Sequence, residues 1–244
     1  MIINKYNGLV IQFLINLFSQ VKARHIELSL LFSADDHPNF VSDRLVDLVG
    51  KVLLDIKNVS LEELGSRADH VEQYINLWPG EHYRLLSSIT RVLQPKVVIE
   101  IGTATGLSAL AIKKYLNEDA KITTFDLIKW QDYPKKCLIE EDFIDGKLEQ
   151  CIDDLNQVET VLKYRELLES ADLIFVDASK DGKLEKMILD NFRLINFNNP
   201  PIIIFDDIRL WNMLKIWRDI TMPKFDLTSF GHWSGTGIVD WQVK

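Results

Sequence analysis

The sequence predicts an α/β protein: a largely parallel, seven-stranded sheet flanked by helices, closed by a C-terminal antiparallel hairpin and preceded by a helical N-terminal extension. Three observations predict it. Short β-rich runs alternate with helix-length segments after residue 81, the strand candidates are apolar without alternation, and the last two are joined by a link too short for a crossover. With 244 residues, the chain can form one complete α/β domain, not two with separate cores. Residues 1–80 are read as the helical extension, a cover or dimer contact, and residues 81–244 as the core.

From Leu9 to Leu31 the apolar residues Val10, Phe13, Leu14, Leu17, Phe18 and Val21 recur at helical spacing. Ser33 to Pro38 breaks that pattern. A helix is expected from about Ser42 to Leu54, and another after Ser60, where Ser-Leu-Glu-Glu reads as a capping box. Trp78-Pro79-Gly80 is a turn. A helix to about Leu93 follows, stopped by Pro95. The strand candidates are Val97 to Ile101, Lys121 to Phe125, Glu149 to Ile152, Leu173 to Val176 and Ile202 to Phe205; Asp126, Asp153, Asp177 and Asp206 immediately follow four of them. In parallel sheets ligands sit beyond the carboxyl ends of the strands, so these acids stand where a site is expected. Phe225 to Phe230 and Gly237 to Trp241 are the hairpin strands, joined by Gly-His-Trp-Ser-Gly-Thr.

Composition narrows the function. The apolar share is 47% and the charged share 26%, as in ordinary soluble globular proteins. A net charge of −8, with no clustering of Lys and Arg, argues against nucleic-acid partners. The apolar stretch Ile2 to Phe18 is interrupted by Asn4, Lys5, Asn7, Gln12 and Asn16, which argues against a membrane span or a secretory signal. Cys137 and Cys151 show no metal-ligand spacing and are expected as two free thiols in a reducing cytoplasm.

Val97 to Gly106 followed by Leu107 to Leu116 reads as a strand, a glycine-bearing turn and a helix. Glycines permit such a turn and a close ligand approach, and the helix start presents free N–H groups. The dinucleotide fingerprint G-x-G-x-x-G fails, because Ala104 stands where the second glycine belongs. A nicotinamide-dependent oxidoreductase is accordingly disfavoured.

Glu100, Gly102 and Gly106 fill the three defining places of E/D-x-G-x-x-x-G, and the chain here resembles the class I S-adenosylmethionine-dependent methyltransferases, with their Rossmann-like fold. The resemblance continues in order. Asp126 stands where a carboxylate takes the ribose hydroxyls, and Asp154 aligns with the acid that receives the adenine amino group. It implies S-adenosylmethionine as cofactor, held by Glu100, Gly102, Thr103, Gly106, Ser108, Asp126, Asp154 and Asp177.

The segments ending in Asp177-Ala178-Ser179-Lys180 and Asp206-Asp207 resemble the fourth and fifth strands of the metal-dependent O-methyltransferases of the catechol and caffeoyl-coenzyme A type. That family has D-x-x-K and Asp-Asn there; Asp207 replaces the asparagine. The resemblance implies a divalent ion, Mg²⁺, on Asp177, Asp206 and Asp207, with Lys180 near the acceptor hydroxyl. Hard oxygen ligands suit Mg²⁺, and a lysine lowered in pKa by ion and burial would serve as a base. Without a metal, His82 or His232 would be the base. Trp130, Tyr133, Trp211 and Trp233 are candidates for an acceptor pocket or for packing. The expected function is O-methylation of a small-molecule hydroxyl on a phenol, sugar or natural-product intermediate, in a monomer or homodimer. The alternative is a non-catalytic module that keeps the fold for binding.

Overall fold

A computed structural model describes residues 41–67, 71–75, 81–210, 212–231 and 234–242. Its sheet comprises β1 (Val97–Ile101), β2 (Lys121–Asp126), β3 (Leu148–Ile152), β4 (Leu173–Val176), β5 (Ile202–Asp206), β6 (Lys224–Asp226) and β7 (Thr236–Asp240). The order is β3-β2-β1-β4-β5-β7-β6. All pairs from β3 to β5 are parallel, and β7 runs antiparallel to both β5 and β6.

Strand residues alternate between two cores. Val98, Leu173, Phe175, Ile202 and Ile204 face one side, while Ile99, Ile101, Ile174, Val176, Ile203 and Phe205 face the other. Both sides are covered, so the strands read as unbroken apolar runs. Fully burying each such side chain contributes about 1.5–3 kcal/mol. The first core is completed by α1 (Asp43–Asp55), α2 (Glu62–Gly65), α3 (Val71–Ile75), α4 (Glu81–Leu93) and α5 (Leu107–Lys113). The second is covered by α6 (Val158–Lys163), α7 (Arg165–Glu169), α8 (Leu184–Phe192) and α9 (Met213–Asp219).

Helix α1 begins as expected, with the Ser42 hydroxyl accepting from Leu45 N at 3.2 Å. Its Leu45, Leu48, Val49 and Val52 join α4 and α5 in one apolar cluster. Arg44 fastens it to the end of β7 through Asp240, 2.7 Å away. Residues 43–67 and 71–75 thus share the core of the sheet. The helices expected between Leu9 and Leu31 lie outside the described residues.

Two expected elements differ. After Ser60 only four residues become helical, with Leu61 at the cap position and no side-chain cap bond; Tyr115 instead bonds the Ser60 backbone N–H and carbonyl at 3.1 and 3.2 Å. Strand β6 stops at Asp226 rather than Phe230, because the Asp226 carboxylate turns back to accept from Thr228 N at 2.9 Å. Helix α9 starts at Met213, with Asn212 at the cap position and no side-chain cap bond. Among the described residues, no helix is long and apolar enough to cross a membrane. Cys137 and Cys151 are free thiols.

Candidate active site

Connections leave β1 and β4 in opposite directions across the sheet, and such a switch point opens a crevice at the carboxyl ends of the strands. Gly102 (φ +102°) and Gly106 (φ +80°) shape the loop after β1. The close approach that requires them comes from the chain itself. A Cβ on Gly102 would stand 1.9 Å from the Asp177 carbonyl oxygen, and one on Gly106 would stand 2.2 Å from Leu138 Cγ. The loop is fixed to β2 by the Thr103 and Thr124 hydroxyls, 2.8 Å apart, and by Ala104 N donating to Asp126 Oδ2 at 2.9 Å.

A cavity of about 330 Å³ opens here, lined by Gly102, Asp126, Asp154 and Asp177 among the residues expected to hold cofactor. Leu127 and Ile128, 66% and 48% exposed, present apolar surface to it. Asp126 is oriented by two backbone donors, Ala104 N and Ile128 N at 2.9 and 3.0 Å, which leaves further lone pairs on its oxygens for a ligand. Asp153 also lines the cavity, but Lys163 and Tyr164 bond its Oδ2 at 2.7 and 2.6 Å and hold its pKa below the usual carboxylate value. Asp154 bonds locally, to Asn156 N at 2.9 Å.

Glu100, Thr103, Gly106 and Ser108 do not line this cavity. All four are buried: β1 lies between β2 and β4 inside the sheet, and Ser108 on the first turn of α5 stands beside Glu100. Burial raises the Glu100 carboxyl to about 8, against the opposing pull of the Ser108 and Thr124 hydroxyls beside it. Burial thus favours the protonated form of Glu100 at pH 7.

At the ends of β4 and β5, oxygen atoms of Asp177, Asp206 and Asp207 lie within 4.8 Å of one another. Three hard carboxylate donors at that spacing fit a divalent cation such as Mg²⁺. Lys180 is 7% exposed, with Nζ bonded to Asp177 Oδ1 and 3.4 Å from Asp207 Oδ2. Burial lowers its pKa, but Asp177, Asp206 and Asp207 outweigh burial and hold it above the ordinary lysine value. The expected lowering is absent from this arrangement. Lys180 and Asp207 both take left-handed backbone conformations (φ +62° and +59°), which cost a non-glycine residue about 1–2 kcal/mol and gather at functional turns. Ser234 bonds Asp207 Oδ1.

Helix α4 brings buried His82 to this cluster, its Nδ1 3.5 Å from Asp206 Oδ1. His232, Trp211 and Trp233 lie outside the described residues. Trp130 packs on Phe143, ring centroids 5.4 Å apart, whereas Tyr133 lines the cavity. Sequence reasoning missed Glu185. It is fully buried, and its carboxylate accepts from Lys180 N at 2.6 Å and Gly182 N at 3.0 Å. Only the Glu on the first turn of α8 hinted at it, and acids are common there.

The family model described as O-methyltransferase matches residues 55–224. A caffeoyl-CoA O-methyltransferase from Stellaria longipes is 28% identical over 143 residues, 58% of this chain and 58% of that protein. One from Medicago sativa is 31% identical over 137 residues, 53% of this chain and 51% of that protein. The match thus spans little more than half the length of these relatives. Among solved structures, an SAH-bound methyltransferase from Podospora anserina is similar in fold, with TM-score 0.52, 20% identity, and coverage of 83% of this chain and 97% of that one.

Proposed function

Because the chain belongs to the O-methyltransferase family, we propose that it transfers a methyl group from S-adenosylmethionine to the hydroxyl of a small molecule. The observation that carries this reading is the double membership of Asp177. It lines the cavity with Asp126 and Asp154, and it belongs to the cluster with Asp206 and Asp207. A cofactor in the cavity and an acceptor at the cluster would meet across one side chain.

Asp126 would accept the ribose hydroxyls and Asp154 the adenine amino group, with Leu127 and Ile128 against the base. The acceptor oxygen attacks the methyl carbon in line as the carbon–sulfur bond breaks, which leaves a neutral thioether and releases the hydroxyl proton. Alignment and proton removal are the main tasks. Lys180, held as an ammonium, would donate to the acceptor oxygen and stabilise its developing negative charge while the hydroxyl proton passes to water. Asp177, Asp206 and Asp207 would hold Mg²⁺, which lowers the pKa of a bound hydroxyl. Aspartate at 207 adds charge to the donor set, and Ser234 orients it. The names of the relatives make phenolic acceptors the first to test. A reducing cytoplasm suits the two free thiols.

Calorimetry with S-adenosylmethionine, S-adenosylhomocysteine and NAD tests the cofactor, with binding expected for the first two. Methyl transfer from labelled S-adenosylmethionine to catechol, caffeoyl-CoA and a panel of phenols and sugars tests the acceptor. Excess EDTA is expected to stop transfer and spare cofactor binding, and Mg²⁺ to restore it. Tight NAD binding without cofactor binding would sink the assignment, while full transfer in EDTA would sink the metal alone. Cofactor binding with no transfer across the panel would favour a non-catalytic binding role.

A further inference from the structure

We propose that Glu185 is a positioning residue for Lys180: its buried carboxylate holds the left-handed turn that delivers the lysine to the Asp177 and Asp207 carboxylates. The inference deepens the role given above to Lys180 and rests on it.

A carboxylate removed from water must be compensated by hydrogen bonds. Glu185 is wholly buried, and both its oxygens are used on the loop after β4. Oε1 accepts from Lys180 N at 2.6 Å and Oε2 from Gly182 N at 3.0 Å. Ordinary capping of α8 does not require this. Asp181 already serves the helix start, its Oδ1 accepting from Lys183 N and Leu184 N at 2.8 and 2.9 Å. Glu185 instead reaches backwards, past the start of its own helix, to the two residues whose φ angles are +62° and +75°. A strained lysine conformation persists only where its surroundings over-determine it, and the bonded amide of Lys180 is the restraint nearest the strain. Asn212 Nδ2, bonded to the Asp181 carbonyl at 3.0 Å, secures the far side of the same turn.

The lysine end shows what the restraint achieves. Nζ of Lys180 is brought onto Asp177 and within 3.4 Å of Asp207. Were the turn to relax towards ordinary backbone angles, the long side chain would leave this position and gain solvent.

Reductive methylation of the full chain with formaldehyde, read by peptide mass spectrometry, tests this without any acceptor. In the wild type, exposed Lys186 should react fast, while Lys180 and buried Lys224 stay protected. Glu185→Ala and the isosteric Glu185→Gln should each raise Lys180 labelling at least about tenfold and leave Lys224 protected. Unchanged Lys180 protection overturns the proposal, and so does parallel opening of Lys224, which would mark a general structural role. Transfer to catechol or caffeoyl-CoA supplies the second arm, since misplacing a group by about 1 Å can cost about a hundredfold in rate. Glu185→Gln should slow transfer at unchanged S-adenosylhomocysteine affinity, and should add less than about twofold to the loss already caused by Lys180→Met. Multiplying losses overturn the positioning role. Full transfer by Lys180→Met would instead remove Lys180 from the reaction, a failure of the reading under Proposed function that the labelling result separates from this one.

Discussion

His82 Nδ1 stands 3.5 Å from Asp206 Oδ1, two side chains from α4 and the end of β5 that are each about 5% exposed. The His82 ring is packed between Tyr83 and Phe175, centroids 4.3 and 5.8 Å away, so its direction is fixed. If Asp206 holds a cation as proposed, a group oriented onto its carboxylate would tune that ligand rather than the substrate. His82→Phe is expected to weaken Mn²⁺ binding, followed by electron paramagnetic resonance, by about 10–100-fold. His82→Asn, whose amide nitrogen can occupy the Nδ1 position, should recover most of that loss, and His82→Gln less. Equal Mn²⁺ affinity in all four proteins would return His82 to a packing role.

Asp126 joins the cavity to the loop after β1. Asp126→Ala removes the proposed acceptor for the ribose hydroxyls and the partner of Ala104 N and Ile128 N together. A loss of about 1–3 kcal/mol in S-adenosylhomocysteine binding is expected by calorimetry. Undiminished affinity would take Asp126 out of the site.

Glu100 gives a stability that depends on pH. Burial raises its pKa to about 8, above the ordinary carboxyl value of 4.5, so between these values the folded state holds a proton that the unfolded state has released. Stability from this group is complete below pH 4.5 and is lost as pH rises towards 8 and beyond. The slope is at most about 1.4 kcal/mol per pH unit for one proton. Urea midpoints measured from pH 5 to 9 should fall for the wild type relative to Glu100→Gln, which cannot ionise. Parallel curves would contradict a neutral Glu100.

Gly102→Ala is expected to damage folding more than cofactor chemistry. The new Cβ would meet backbone, the Asp177 carbonyl oxygen at 1.9 Å, and the residue would be strained at φ +102°. Thermal unfolding should show a loss above about 2 kcal/mol, as for incompatible backbone substitutions. At Gly106 the obstructing atoms belong to the Leu138 side chain, so Gly106→Ala combined with Leu138→Ala should recover part of its loss. No recovery would assign the cost to the backbone alone.

Strands β4 and β5 were legible because burial on both faces leaves continuous apolar runs, and the ends of β2 to β5 because Asp126, Asp153, Asp177 and Asp206 mark them. The short stop of β6 was not legible, since it depends on the Asp226 carboxylate turning back onto Thr228. Neither was the capping at Ser60, where the Tyr115 hydroxyl from the end of α5 competes for the backbone. The first outcome depends on a local side-chain bond, the second on a partner 55 residues away that only folding brings near.

The sequence alone determined that acids collect at the carboxyl edge of a parallel sheet, because strand period and chain connectivity require it. The resemblance to the metal-dependent O-methyltransferases also marked Asp177 and Lys180 as a pair. Only the tertiary structure decided which acids meet a cavity and which are buried away from it. Glu100 and Asp126 look alike as strand-end carboxylates, yet one is buried where the protonated form is favoured while the other faces open space. The same holds for Glu185 and His82, which approach the site from α8 and α4. Their roles arise from contacts between elements, and the energy of a buried polar group is set by the partners that packing brings to it.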